Sequence, residues 1–391
     1  MNASFDVVIV GGGVTGAAVG DGLAKRGVKT CLVDAVPTFS RASRANMGLI
    51  WCQSKALGCP QFVRWGFASS RAYGKLAAEL KELSGIDTGY APTGGIIPCL
   101  GEAELEARAQ FIEKLRAETE DGTYPASVLS RKELEGMLPK VPFGPEVSGG
   151  IWSDMDGYVD PLHLMFAFRK SFVRLGGTLF AGERVSEVKP SGKGYAVVCG
   201  GRTLECGKAV LAAGLGVRKL AAQLGTDIPV FPNKSQVMLL ERIPADVLPI
   251  PLLGIARTFG GTVMIGAAHE NMGMDRRLTP EVLAANAQWA VRVWPELERK
   301  RILRFWTGLR VWPKDAYPIY DRIPGHENAF VFAMHSAVSL AAILEQALPD
   351  YVMGKPLPPD GAIFGLSRFA GGGSGFQGSA ASSPHAEAPN K

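Results

Sequence analysis

Residues 9–16 read IVGGGVTG. The glycine-rich part, residues 11–16, follows a short β-branched run at residues 5–10, and a second such run comes later at residues 29–33. The intervening residues 17–26 are mostly small, and Gly27 follows them. A strand, a glycine-rich turn, a helix and a second strand in this order predict a βαβ unit of a doubly wound α/β sheet.

The three spaced glycines of this turn each have a distinct use. Gly11 permits the tight turn, Gly13 lets a pyrophosphate approach the backbone, and Gly16 lets the helix pack closely on the strand. The free N–H groups at the start of the helix favour negative charge. The turn, completed by Val14 and Thr15, therefore predicts a dinucleotide-binding site.

Asp34 follows Gly16 by eighteen residues, at the end of the second predicted strand. A carboxylate at this position accepts hydrogen bonds from ribose hydroxyls and repels a 2′-phosphate, which disfavours NADP. The alternative interpretation is a glycine-rich turn beside a surface aspartate.

The composition is that of a folded protein long enough for two domains. Of the 391 residues, 47% are hydrophobic and 20% are charged. The net charge of +5 is scattered, so nothing favours nucleic-acid binding. The six cysteines form no CxxC pair, which predicts reduced thiols, no metal site and a cytoplasmic location. The uncharged residues 329–344 are too few for a transmembrane helix and predict a core strand that leads into a helix near Ser336.

Periodicity predicts helices at residues 60–83, 102–119, 161–174 and 280–293. Strands are expected at residues 178–188, 195–198, 208–212 and, broken by prolines, 237–268. We expect a nucleotide-binding domain of residues 1–88, 140–235 and 306–367 and a substrate domain of residues 89–139 and 236–305. Residues 368–391, rich in Gly, Ser, Ala and Pro, predict a disordered tail.

Six segments together carry a family resemblance: IVGGGVTG (9–16), SRANMG (43–48), DMDGYVDP (154–161), AVLAAG (209–214), WTGLRVWPKDAYPIY (306–320) and AMHSAVSLA (333–341). In order and spacing they resemble the D-amino-acid-oxidase-like family of FAD-dependent amine dehydrogenases and oxidases, up to about Arg368. The resemblance implies a discontinuous FAD-binding domain of the glutathione-reductase Rossmann type and a second, antiparallel-sheet substrate domain. No cysteine matches a covalent attachment point, so we expect non-covalent FAD.

The resemblance also assigns cofactor contacts. A segment at 43–48 runs past the pyrophosphate toward the flavin, a second close approach follows the strand at 208–214, and a helix N-terminus near Ser336 points at the pyrimidine edge and stabilises the reduced ring. Beyond the first turn and Asp34, the assigned positions are Ser43, Asn46, Met47, Gly48, Val185, Ala213, Gly214, Gly308, Ser336, Ala337, Val338 and Ser339.

Two residues are expected to carry the chemistry. The resemblance places Arg310 above the flavin, where its planar donors hold a substrate carboxylate at two points. The alternative is an ion pair, for example with Asp315. His335 matches a histidine near the ring, where it tunes flavin or substrate; a structural histidine is the alternative.

Within the family, GLIWCQSKALG (48–58) and HSAVSLA (335–341) are most similar to the flavin (β) subunits of opine (octopine and nopaline) and hydroxyproline or proline dehydrogenases. This implies oxidation of a secondary amine by hydride transfer to flavin N5, giving an imine that hydrolyses. Trp51, Gln53 and Lys55 become substrate-binding candidates; a strand with alternating burial is the alternative. Ser235 departs from the family, which usually has Gly there.

The resemblance further implies partner α and γ subunits that contain FMN and an iron–sulfur cluster. The sequence is also compatible with two other functions. One is an oxygen-using oxidase of glycine or sarcosine type, and the other is a flavin-holding scaffold or electron-transfer subunit.

Overall fold

A computed structural model describes residues 3–35, 42–266 and 268–372. The strands are β1 Ala3–Val10, β2 Thr30–Asp34, β3 Leu49–Ile50, β4 Gly95–Leu100, β5 Ser127–Ser130, β6 Val147–Ser153, β7 Gly157–Tyr158, β8 Thr178–Ala181, β9 Val185–Ser191, β10 Gly194–Cys199, β11 Arg202–Leu211, β12 Val230–Arg242, β13 Ile255–Arg257, β14 Thr262–Gly266, β15 Ile302–Pro313, β16 Ile319–Ile323 and β17 His326–Ala333. The α-helices are α1 Val14–Lys25, α2 Pro60–Ser84, α3 Glu102–Ala117, α4 Arg131–Met137, α5 Pro161–Arg174, α6 Val217–Ala222, α7 Pro280–Val293, α8 Ala341–Val352 and α9 Pro359–Ala362. The four helices predicted from periodicity are confirmed as α2, α3, α5 and α7.

The main sheet has the strand order β16-β17-β11-β1-β2-β8. Its central pairs are parallel: Val10 lies opposite both Leu211 and Val33, and Leu211 lies opposite Val331. β16 closes one edge in antiparallel orientation, and β9 and β10 extend from the first half of β11. The carboxyl ends of β1, β2, β11 and β17 therefore meet at one edge, which is where an open α/β sheet binds ligands.

One face of this sheet is covered by α1, α2, α5 and α8. Leu23, Phe168 and Phe172 are fully buried there, and each such side chain contributes about 1.5–3 kcal/mol by leaving water. Lys25 Nζ joins three helices by pairing with Glu79 at 2.9 Å and Glu345 at 3.1 Å. This covered face holds the helix that begins at the glycine turn in place.

The second part of the fold is antiparallel. β12 pairs with β14 and β15 along its length, and β4, β6 and β5 form a neighbouring sheet. Together with the parallel sheet, this arrangement confirms the predicted fold class. β6 falls within residues 140–235, which we assigned to the nucleotide-binding domain, yet it pairs with strands of the antiparallel part. The domain boundaries stay a prediction.

Two sequence expectations about segment ends are wrong. The helix expected near Ser336 begins at Ala341, because residues 336–340 form a turn instead. In this turn the carbonyl oxygen of Val338 accepts a hydrogen bond from the Tyr73 hydroxyl, and that of Ser339 accepts one from the Ser69 hydroxyl. Disorder expected from residue 368 is wrong for residues 368–372, since they lie in the 3-10 helix Leu366–Gly372 and the buried side chain of Arg368 binds Asp315. The rest of the predicted tail, residues 373–391, lies outside the described residues.

Within the described part of the chain, no helix combines the length and the apolar character needed to cross a bilayer. All six cysteines are free and buried.

Candidate active site

The glycine turn after β1 has no room for side chains. Gly11 has φ +107°, and a Cβ there would lie 2.5 Å from the carbonyl oxygen of Ala212 at the end of β11. A Cβ on Gly16 would lie 1.8 Å from the carbonyl oxygen of Gly11. The turn therefore presents bare backbone at the N-terminus of α1, the arrangement that a pyrophosphate requires.

The segment at residues 42–48 lies against this turn. Ser43 Oγ accepts a hydrogen bond from Val14 N at 3.0 Å, and a Cβ on Gly13 would lie 2.9 Å from Ser43 Oγ. Asn46 fixes the segment internally, since its Oδ1 accepts from Gly48 N at 2.8 Å and its Nδ2 donates to the Ala42 carbonyl at 3.0 Å. Of the positions assigned to FAD here, Ser43 is the one that reaches the turn directly.

Two other residues predicted to contact FAD, Gly308 and Gly48, allow neighbouring segments to approach closely because they have no side chain. A Cβ on Gly308 would lie 2.5 Å from Ala45 Cβ, so glycine in β15 lets the 42–48 segment approach. Met47 is buried beside Val237. A Cβ on Gly48 would lie 2.1 Å from the Val159 carbonyl oxygen.

The other residues predicted to contact FAD lie on several different elements. Ala213 and Gly214 directly follow β11, and Gly214 has φ +59°. Thr15 is half-buried in the first turn of α1, and Val185 is half-buried at the start of β9. Ser336, Ala337 and Val338 are half-buried and Ser339 is buried in the turn before α8. Contact of these residues with FAD stays a prediction.

Asp34 is buried at the end of β2 and is held from two sides. Its Oδ2 accepts from Gly12 N at 2.6 Å and pairs with Arg169 Nη2 at 2.7 Å. Arg169 Nε also donates to the Gly12 carbonyl at 2.9 Å. The sequence reasoning missed Arg169, although it lies four residues after the buried Met165 on α5, where a charge on the inward stripe is a detectable signal.

Arg310 projects from β15 beside β12. Its Nη1 donates to Asn233 Oδ1 at 3.0 Å and to the Ala268 carbonyl at 2.7 Å, and its Nη2 donates to Ser235 Oγ at 2.8 Å. Desolvation lowers the pKa of Arg310 to about 10, so the guanidinium stays protonated at neutral pH. Ser235, the departure from the family's glycine, thus helps to orient this side chain.

The ion-pair alternative for Arg310 is wrong, because Asp315 pairs with Arg368 instead, at 2.8 Å. The five guanidinium N–H groups of Arg310 meet three protein oxygens, and donors are left for a ligand. This is the arrangement expected of a substrate anchor.

Two histidines and a tryptophan adjoin Arg310. The His269 ring lies 5.3 Å from that of Trp312, and the Trp312 ring lies 4.6 Å from that of His335. Desolvation and the nearby Arg310 charge lower the pKa of His269 to about 3 and hold the pKa of His335 well below its usual range. Both rings are therefore neutral. The sequence reasoning missed His269, Asn233 and Trp312. Of these, only Trp312 could have been found, because it follows Arg310 by two residues on a strand and therefore lies on the same face of the sheet.

The segment at residues 51–56 is fastened to three elements. Trp51 N donates to Ser339 Oγ at 3.0 Å, and Cys52 N donates to Asp156 Oδ1 at 2.6 Å. Gln53 is buried and its amide nitrogen donates to the Gly95 carbonyl at 2.8 Å. Its contact with substrate stays a prediction. Lys55 is half-buried, and it lines one cavity with Trp51 and Ser336.

The bare glycine turn, the buried acid at the end of β2 and the oriented guanidinium of Arg310 together indicate a dinucleotide-dependent oxidoreductase of the doubly wound α/β class. Comparison with known proteins identifies the family. The family of FAD dependent oxidoreductases (DAO) matches residues 6–344. The chain is similar to one of the opine oxidase subunits of Agrobacterium tumefaciens (strain Ach5), with 33% identity over 365 residues that span 93% of this chain and 97% of the relative.

Solved structures agree. The crystal structure of glycine oxidase from Geobacillus kaustophilus has a TM-score of 0.86 and 27% identity and covers 94% of this chain and 99% of its own. L-proline dehydrogenase from P. horikoshii shares the fold, with a TM-score of 0.81 at 20% identity and coverage of 94% and 98% of the two chains. The chain belongs to the FAD dependent oxidoreductase (DAO) family. Its predicted resemblance and its FAD cofactor are confirmed.

Proposed function

We propose that this chain oxidises the secondary amine of an amino acid of opine, hydroxyproline or proline type, and therefore acts on CH–NH donors. The observation that carries the proposal is Arg310, a guanidinium that Asn233 and Ser235 orient in a chain of the FAD-dependent family. No carboxylate in the described residues pairs with it. Bound FAD supplies the two-electron acceptor for the hydride that leaves the carbon beside the amine.

The chain's own residues supply position and electrostatics. Arg310 holds the substrate carboxylate and thereby orients the adjacent C–H bond. The rings of His335 and Trp312 form an uncharged wall beside that anchor, which limits water around the reacting amine. Because both neighbouring imidazoles are neutral, they add no repulsion to an amine that approaches with its lone pair free. Water then hydrolyses the imine product.

We further propose that the chain is the catalytic subunit of a cytoplasmic heteromeric dehydrogenase, with partner subunits that carry FMN and an iron–sulfur cluster. Support comes from the 33% identical relative, which is named as a subunit of opine oxidase. Buried, unpaired cysteines suit a reducing compartment.

The decisive test is anaerobic reduction of the FAD-loaded chain. We expect octopine, nopaline, proline or hydroxyproline to bleach the flavin absorbance. Arg310→Leu should retain FAD but lose about tenfold to a hundredfold in the second-order rate of bleaching, because one charge-assisted contact is removed. Lack of bleaching by every amine tested would refute the proposal and favour the scaffold alternative.

The electron acceptor is tested separately. A tagged chain purified from its own cells should bring partner chains with it, and the extract should contain FMN and iron besides FAD. FAD alone, together with rapid peroxide formation in air, would instead support the oxygen-using oxidase of glycine or sarcosine type.

A further inference from the structure

Four consecutive polar residues of β12 are buried: Asn233, Lys234, Ser235 and Gln236. Successive side chains of a strand point to opposite faces of the sheet. The first and third of the four bind Arg310, and the second and fourth bind the side chain of Glu270. One face of this strand thus holds the proposed substrate anchor, and the other face holds a buried acid.

Glu270 is bound through both carboxylate oxygens. Its Oε2 lies 3.1 Å from Lys234 Nζ and accepts from Thr279 Oγ1 at 2.7 Å, and its Oε1 accepts from Gln236 Nε2 at 2.7 Å. Lys234 Nζ also donates to Thr279 Oγ1 at 2.8 Å and to the Arg277 carbonyl at 3.1 Å. A buried ion pair needs such additional hydrogen bonds to satisfy its remaining lone pairs and protons. The Lys234–Glu270 pair therefore holds the chain around Glu270 firmly on β12.

The segment held in this way reaches Arg310. Glu270 also pairs with Lys234 through the backbone, with N···O distances of 3.0 and 2.9 Å. The two residues before Glu270 lie at the guanidinium: the Ala268 carbonyl accepts from Arg310 Nη1 at 2.7 Å, and His269 Nδ1 lies 3.4 Å from the same nitrogen. A shift of Glu270 along β12 would therefore move one of the three oxygen partners of Arg310.

We propose that the Lys234–Glu270 ion pair is a positioning element for Arg310, which sets the direction in which the guanidinium presents its remaining donors to a substrate carboxylate. The inference rests on the proposed amine oxidation and adds to it two residues that act through the anchor without touching the substrate. A pair that served stability alone would affect the reaction equally whether or not Arg310 is present. A pair that acts through Arg310 loses its effect once Arg310 is replaced.

A double-mutant cycle in the full chain separates these two roles. One change is Arg310→Leu, and the other is Lys234→Met together with Glu270→Met, which leaves no buried charge unpaired. The measurement is anaerobic bleaching of the FAD-loaded chain by octopine, nopaline, proline or hydroxyproline. Loss of the pair should lower the second-order rate constant about tenfold when Arg310 is present and less than about twofold in the Arg310→Leu background.

A second variant, Glu270→Gln, keeps the size of the side chain and removes its charge. It should show the same dependence on Arg310, and it replaces the methionine pair if that chain does not fold. Arg26→Met is the control, because it breaks a half-buried ion pair with Asp350 at the end of α1. Its effect on the rate constant should be the same in both backgrounds.

The inference is overturned if loss of the pair slows bleaching equally in both backgrounds, or in neither, while wild type oxidises an amine. The proposed function then stands, and the pair has a structural role only. If no amine bleaches wild type, the proposed function fails, and the positioning role fails with it.

Discussion

Arg169 clamps the nucleotide turn to the acid at the end of β2. Its guanidinium binds both the Gly12 carbonyl and the Asp34 carboxylate, while Gly12 N donates to the same carboxylate oxygen. Replacing Arg169 with Met would leave a buried carboxylate short of donors and free the turn to move. We expect the dissociation constant for FAD to rise at least about tenfold, about 1.4 kcal/mol, in fluorescence titrations of the apoprotein.

Arg174→Met supplies the control, because Arg174 ends the same helix and is exposed. It should leave FAD affinity unchanged. If Arg169→Met and Arg174→Met lose similar apoprotein stability and bind FAD with equal affinity, Arg169 has no role in shaping the nucleotide site.

At the scale of single residues, what could be predicted depended on how local the constraint was. Gly11 and Gly16 were predictable because the turn that needs them is encoded within eight residues. The partners of Arg169 and Asn233 were not, because each lies more than seventy residues away, Asp34 for Arg169 and Arg310 for Asn233. The role of Arg310 required the resemblance, since spacing alone equally allowed a pair with Asp315.

Among the elements, the link between β6 and β7 carries a pH-sensitive contact. The buried Asp156 Oδ1 accepts from Cys52 N and Gln53 N, and desolvation raises the pKa of Asp156 from 3.8 to about 7. A raised carboxyl pKa means that the folded state binds the proton more tightly than the unfolded state. Its contribution to stability is therefore fully present below pH 3.8 and is lost as the pH rises through about 7.

Asp156→Asn keeps an acceptor for the two backbone N–H groups and removes the titration. We expect the free energy of unfolding of wild type, minus that of the variant, to fall by roughly 4 kcal/mol between pH 4 and pH 8. Urea unfolding of the FAD-loaded chain at both pH values measures it. A difference that does not change with pH would show that Asp156 titrates normally.

Elements with strong local signals were predicted closely, and those ended by tertiary contacts were not. The helix at 280–293 matches α7 at both ends, since Pro280 fixes the first turn. The start of α8 was placed five residues early, because Tyr73 and Ser69, on a distant helix, hold the carbonyls of the preceding turn. Periodicity contains no information about such partners.

On the scale of the whole molecule, the folded chain reaches further toward the C-terminus than composition indicates. Arg368 donates to the Asp315 carboxylate at 2.8 Å and to the Phe364 and Tyr317 carbonyls at 2.7 and 3.2 Å. The arginine thus ties the segment after α9 to the turn that follows β15, the strand of Arg310. Low complexity begins near residue 370, and composition averaged over a window cannot separate one buried arginine from the glycine run behind it.

Two truncations should therefore behave differently. A chain ending at residue 372 removes only the Gly-, Ser-, Ala- and Pro-rich residues and should unfold within about 0.5 kcal/mol of the full chain. A chain ending at residue 367 also lacks Arg368, so the buried Asp315 carboxylate loses its arginine partner. Its free energy of unfolding in urea should fall by about 3–5 kcal/mol. Arg368→Met in the full chain should reproduce most of that loss, which separates the missing charge from the missing backbone. Equal stability of both truncations would mean that the Arg368–Asp315 pair contributes nothing, and the end of the folded chain would then return to residue 367.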